Sequence, residues 1–268
     1  MTYRLHVVLV LSMLAISWSG TSEAWGTKTR LKEANEIFQK RCKKAGEFIY
    51  RTAENVDGIF LLKVRETYNQ GDQYRMDDPY GLDSWGDAYF KGFFLDAALV
   101  ANSYASEEMK ERIRQTHQGY LYVDAIDPID GKRYRYTGRT EEPWQTDKKY
   151  LKGYLRFVLD KAVAPEAAPR YGVTFDDIST RDDRDHWVAG SSLKVIDLKT
   201  NEVMAERIGY MVDPQQGNTS GGRSPWLLAA SYACPSFGPS DRRSPGAAYQ
   251  LDQTRRFVVK VLHPVTKQ

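Results

Sequence analysis

Two cysteines stand near opposite ends of this 268-residue chain, Cys42 in TRLKEANEIFQKRCKKA and Cys234 in SYACPSFGP. A bond between them would tie the front of the fold to its back, and no other feature of the sequence restricts the topology as strongly. Whether they pair depends on the compartment, because thiols stay reduced in the cytosol and oxidise outside it. The first residues, MTYRLHVVLVLSMLAISWSGTSEAWG, bear on that question. They carry Arg4, then an apolar run from Leu5 to Trp18 broken only by His6, Ser12 and Ser17, then small and polar residues leading to Ser22-Glu23-Ala24. That is the layout of a secretory leader cut between Ala24 and Trp25. The run is shorter than the roughly 20 apolar residues a membrane anchor needs, and no cysteine near the cut could take a lipid. The expected mature protein is residues 25–268, periplasmic or secreted, with no stable membrane insertion once the leader is gone.

An even cysteine count in an oxidising compartment favours pairing, so Cys42–Cys234 is the expected disulfide. Closing so long a loop stabilises by roughly 5 kcal/mol in the chain-entropy model. A reactive thiol is the rival reading. It needs a neighbouring base, and the closest histidine in sequence to Cys234 is His263, far along the chain.

The patterning predicts an α+β protein, mainly an antiparallel β-sheet built from hairpins, with an N-terminal amphipathic helix. Leu31, Ala34, Phe38, Cys42 and Ala45 recur at steps of three and four, one helical stripe with Gly46 as its stop. Three hairpins are expected, turning at Asn55-Val56-Asp57-Gly58, at Pro128-Ile129-Asp130-Gly131 and at Lys199-Thr200-Asn201-Glu202. The arms of the third are apolar on both faces, which places them centrally in the sheet. TRRFVVKVLHP predicts a last strand with Phe257, Val259 and Val261 on one face, and residues 148–163 also favour a strand. Residues 102–118 look helical, and the stretches 214–225 and 238–246 are expected to be flexible loops. The whole of 25–268 is expected to form one globular unit; a division into two subdomains would fall near 140–170.

No stretch names a reaction. G-x-S-x-G, H-E-x-x-H, C-x-x-C, the phosphate-binding loop and the dinucleotide fingerprint are all missing, and nothing in the sequence implies a cofactor or a metal. Ser191-Ser192-Leu193-Lys194 matches S-x-x-K, but on an expected strand positions three apart face opposite ways. Asp176, Asp177, Asp182, Asp183, Asp185 and His186 crowd 176–187 and read as a solvated loop. Arg133, Arg135 and Arg139 alternate with Tyr134 and Tyr136, and the basic–aromatic pattern continues through Lys148, Lys149, Lys152 and Arg156. The net charge of +3 is too small to imply a nucleic-acid partner. Asn218-Thr219-Ser220 fits a glycosylation sequon.

The most suggestive stretch is 77–90. Asp77, Asp78, Asp83 and Asp87 are candidate carboxylates for a glycosidase pair, and Tyr80, Trp85 and Tyr89 are candidate ligand-binding rings that stack on sugars. The competing expectation is that these aromatics fill the core. The leading expectation is therefore a non-catalytic binding protein of a bacterial cell envelope, with an envelope protein or polymer as partner. A carboxylate-dependent glycan hydrolase and a periplasmic immunity or inhibitor protein are the alternatives.

Overall fold

The computed structural model describes residues 28–65, 73–74, 86–94, 119–141, 156–238 and 247–265. The chain is mixed α+β. Its strands are β1 (Gly46–Ile49), β2 (Ala53–Val56), β3 (Gly58–Leu61), β4 (Tyr122–Ile126), β5 (Arg133–Glu141), β6 (Arg156–Val163), β7 (Tyr171–Asp177), β8 (Val188–Asp197), β9 (Glu202–Val212), β10 (Ala233–Cys234) and β11 (Leu262–Pro264). Its helices are α1 (28–42), α2 (Asp87–Lys91), α3 (Arg181–Asp185), α4 (Pro225–Ala229) and α5 (Ala247–Val261). Nine strands form one sheet in the order β1-β9-β8-β7-β3-β4-β5-β6, with β10 also on β9, and β2 pairs with β11 apart from it.

Two of the expected hairpins form. β4 turns into β5 with Ile126 opposite Arg133, where Gly131 takes the positive φ of 69° that the turn needs. β8 turns into β9 with Asp197 opposite Glu202 and Asn201 at φ 58°. The first expected hairpin does not form. Asn55, at φ 55°, lies within β2, which pairs in parallel with β11, while β3 pairs in parallel with both β4 and β7. The sheet is thus mostly but not wholly antiparallel. A parallel neighbour has to come from a distant part of the chain, so a local turn signal says nothing about it.

The expected C-terminal strand is also corrected. Residues 247–261 are helix α5, and only 262–264 extend. Phe257, Val258, Val261 and Leu262 are fully buried, at steps of one, three and one. Phe257, Val258 and Val261 share one side of the helix, with Leu262 just past its end, whereas Phe257 and Val258 would face opposite ways on a strand. The stretch 214–225 is ordered by the carboxylate of Asp213. It accepts hydrogen bonds from the backbone N–H of Gln215 at 3.1 Å and of Gly217 at 2.7 Å, and it pairs with Arg223. Gly217 sits at φ 81° under the ring of Trp187, too close for any Cβ.

Alternation divides the sheet into two faces. Ile59, Leu61, Val123, Ala125, Val173, Phe175, Leu193, Val195 and Ala205 point to one side and form the main core with α5 and with the aromatics Tyr89, Phe90, Phe93 and Phe94. A smaller cluster on the same side packs Trp226 of α4 against Ala189 and Met211. The other face is covered at one corner by α1, whose Ala34 and Phe38 pack with Val188, Tyr210 and Val212. Leu31, Ile37, Cys42 and Ala45 on the same stripe are half-buried.

Cys42 and Cys234 are joined by a disulfide with a Cα–Cα distance of 5.7 Å, inside the range that a native bridge requires. Its placement follows from the sheet edge. β10 pairs with Tyr210 and Met211 on β9, and β1 pairs with the next stretch, Ala205 to Ile208. These two short strands share one edge, and the disulfide links the residue ending α1, just ahead of β1, to β10.

Candidate functional site

Away from α1, the second sheet face brings aromatic, acidic and basic side chains together among the described residues. Phe60 of β3 lies beside Asp124 of β4 and that beside Arg135 of β5, so the three side chains share this face. Asp124 is fully buried although it points away from the core. Arg135 covers it with two hydrogen bonds, Nε to Oδ1 at 2.7 Å and Nη2 to Oδ2 at 3.1 Å, and Arg133 stands 3.5 Å from Oδ2. The hydrogen bond to Asp124 raises the Arg135 pKa above its ordinary value, so the charge is permanent.

Each guanidinium also lies over a ring. Arg135 is 3.7 Å from the centroid of Tyr122, and Arg133 is 5.9 Å from that of Phe60. Tyr122 in turn lies flat over Gly58, where an added Cβ would fall 2.3 Å from the ring. A side chain at position 58 would lift the whole stack. Leu62 and Ile126 complete the surface, 38% and 43% exposed. Leu62 packs over Gly172, which puts it on the same face. The result is a patch of fixed arginine, aromatic and aliphatic groups.

The residues singled out from the sequence are distributed as follows. Asp77, Asp78, Tyr80, Asp83 and Trp85 lie outside the described residues, as do the helix expected around 107–115 and the basic residues Lys148, Lys149 and Lys152. Asp87 is exposed in the first turn of α2. Tyr89 is 3% exposed, edge-on to Phe93 and Phe175, with the Arg65 guanidinium 5.0 Å from its centroid. Arg133, Arg135 and Arg139 share the open face. Tyr134 and Tyr136 point the other way, and Tyr136 stacks on Phe90 at 4.2 Å.

Ser191 and Lys194 lie on opposite faces of β8. Ser192 donates to Glu206 at 2.5 Å, and Lys194 to Asp176 at 3.1 Å. Asn218 is exposed on its loop and accepts from the backbone N–H of Ser220. Among the described residues no three His, Cys, Asp or Glu side chains are gathered to hold a metal ion. No helix among them is long and apolar enough to cross a membrane.

The charged run 176–187 is not simply solvated. Thr180 caps α3 in a reciprocal box with Asp183, and Arg41 of α1 binds Asp183 through Nε and Nη2, both at 2.9 Å. Asp183 is fully buried, and Arg184 nearly so, paired with Asp177. The hydrogen bond to Asp183 raises the Arg41 pKa. Asp197 and Asp213 complete a set of four buried aspartates, each held by at least one arginine. Sequence reasoning missed this set. Thr180-x-x-Asp183 resembles a capping box and could have been found; the Asp124–Arg135 pair becomes visible only once the β4–β5 register is known. No protein-family model, no curated protein and no solved structure matches this chain.

Proposed function

We propose that this chain is an exported, non-catalytic binding protein of a bacterial cell envelope, and that a protein of that envelope docks on the open face of the sheet. One observation carries the reading: Leu62 and Ile126 are exposed on a face that also holds Phe60, Tyr122, Arg133 and Arg135 in fixed geometry. Arginine and aromatic side chains are the groups that anchor protein interfaces. Here Asp124 and Gly58 fix their conformations before binding, which lowers the ordering cost of association. The leader-like residues 1–24 and the Cys42–Cys234 disulfide support an oxidising location.

The test is capture from an envelope extract by the mature protein and by the double variant Leu62→Asp/Ile126→Asp. Both side chains are partly exposed, 38% and 43%, and unchanged far-UV dichroism checks that the variant remains folded. The expected result is one stoichiometric protein recovered by the wild type and lost by the variant. Retention on peptidoglycan with release of soluble sugars would replace this reading with a glycan hydrolase. Equal recovery by both forms would remove the open face from it.

A further inference from the structure

We infer that the outward side of α1 is a docking surface for an anionic phospholipid bilayer. The surface lies apart from the open sheet face, so the inference stands independently of the function proposed above. It begins with the distribution of charge. The chain as a whole carries +3, yet residues 28–44 alone hold seven basic residues against two acidic ones, so the remainder of the chain is slightly acidic. A random scatter of charge would not concentrate the excess of cations in one helix.

The fold then sorts these residues by side. Arg41 turns inward to Asp183, Arg30 donates to the backbone carbonyl of Asp185, and Glu33 lies 3.6 Å from His186. These contacts seat the helix, together with Ala34 and Phe38 on the sheet and the disulfide at Cys42. Lys28, Lys32, Lys40 and Lys43 are left on the outward side, along a furrow that also includes Asn35, Glu36 and Gln39 and is bordered by Leu31. Lys32 shares its charge with Glu36 at 3.8 Å; Lys28, Lys40 and Lys43 make no ion pair among the described residues. The outward side therefore carries four lysines against the single carboxylate of Glu36, a clear cationic excess.

The geometry suits a planar partner. At 1.5 Å per residue the stripe from Lys28 to Lys43 is ~22 Å long. The helix is clamped at both ends of its inner side, so a flat anionic surface meets all four ammonium groups without reorganising the backbone. Lysine stems are flexible enough to reach a headgroup layer while their charge remains hydrated. Each lysine near an anionic leaflet contributes an attraction that falls off within a Debye length. Acidic polymers and acidic proteins offer the same charge, but not a plane that engages the whole length of a rigid helix.

The experiment is co-sedimentation of the mature, oxidised protein with vesicles of phosphatidylglycerol mixed into phosphatidylcholine, and with pure phosphatidylcholine. The variants are Lys40→Gln/Lys43→Gln and the fourfold Lys28→Gln/Lys32→Gln/Lys40→Gln/Lys43→Gln. All four side chains are exposed, and unchanged far-UV dichroism checks that the variants remain folded. The expected result is binding to the phosphatidylglycerol vesicles only, weakened about 30-fold by the double change and abolished by the fourfold one, and fading as salt is added. Three results would overturn the inference: equal binding to neutral vesicles, binding unchanged in the fourfold variant, or failure to bind vesicles while a soluble polyphosphate or an acidic protein is bound.

Discussion

The two edges of the sheet are built on different principles. At one end, β9 is covered along its length by two short strands from distant parts of the chain, β1 and β10, and a disulfide fastens both covers. The aspartates beside that edge are fully buried and bound by arginine: Asp183 by Arg41, Asp197 by Arg51 and Arg170, Asp213 by Arg223. At the other end β6 is the last strand, with no further partner among the described residues, and Val163 at its tip is 70% exposed. Its ion pairs, Arg139 with Asp160 and Lys161 with Asp127, are partly solvated. Exposed pairs of that kind contribute little to stability. The comparison separates two tasks. One end closes its hydrogen-bonding edge; the other, among the described residues, leaves both an edge and a face available.

The sharpest way to break the closed end is to remove a buried carboxylate. Asp213→Ala strands Arg223, whose side chain is 8% exposed, and two backbone N–H groups. The expected loss is about 3–5 kcal/mol in urea unfolding. Next comes the crosslink. Cys42→Ser/Cys234→Ser should cost about 2–4 kcal/mol relative to the oxidised protein; an unchanged urea midpoint would show that the clamp is redundant.

A smaller effect is expected at low pH. The hydrogen bond from Arg170, with the Lys199 N–H, holds Asp197 below its ordinary value, despite the opposing effect of burial. A depressed carboxylate pKa contributes stability above the unfolded value of ~3.9, and that contribution disappears as pH falls through the folded value. Asp197→Asn should therefore be destabilised at neutral pH, and the gap to wild type should narrow below about pH 4. A constant gap down to acid would mean that the pairing contributes nothing. Smallest of all, Val163→Thr on the open edge should stay within about 0.5 kcal/mol of wild type. A larger loss would show that this edge is structural.

The closed end was the more legible of the two in the sequence. Cysteine count and a leader pattern sufficed for the disulfide, because with two cysteines only one intramolecular pairing exists. The β8–β9 hairpin was readable from Asn201 and from arms apolar on both faces, and the stripe of α1 from its period. The misses have physical causes. Asn55 and Gly58 look like a turn, but the positive φ of Asn55 falls within β2, and Gly58 seats the Tyr122 ring because it has no Cβ. Phe257, Val259 and Val261 alternate like a strand, yet Val258 is as buried as Phe257, and the buried Gln250, Gln253 and Thr254 extend one helical face upstream. Short apolar runs do not separate these cases by period alone. Of the aromatic–acid stretch, only the part from Gly86 onward falls among the described residues. There Tyr89 belongs to the core, an outcome that composition alone could not distinguish from a sugar-binding ring. The open face was half-visible: Arg133 and Arg135 stood out, but their seats on Asp124, Tyr122 and Phe60 depend on strand neighbours.

The most direct test of the contrast between the two edges is amide hydrogen exchange on the folded protein, read separately in β9 and β6 before and after reduction of the disulfide. The account predicts slow exchange across residues 204–211 in the oxidised form, clear acceleration there on reduction, and little change in 156–163. Equal acceleration at both edges, or none at β9, would contradict the assignment of the Cys42–Cys234 bond as the lock on one edge of this sheet.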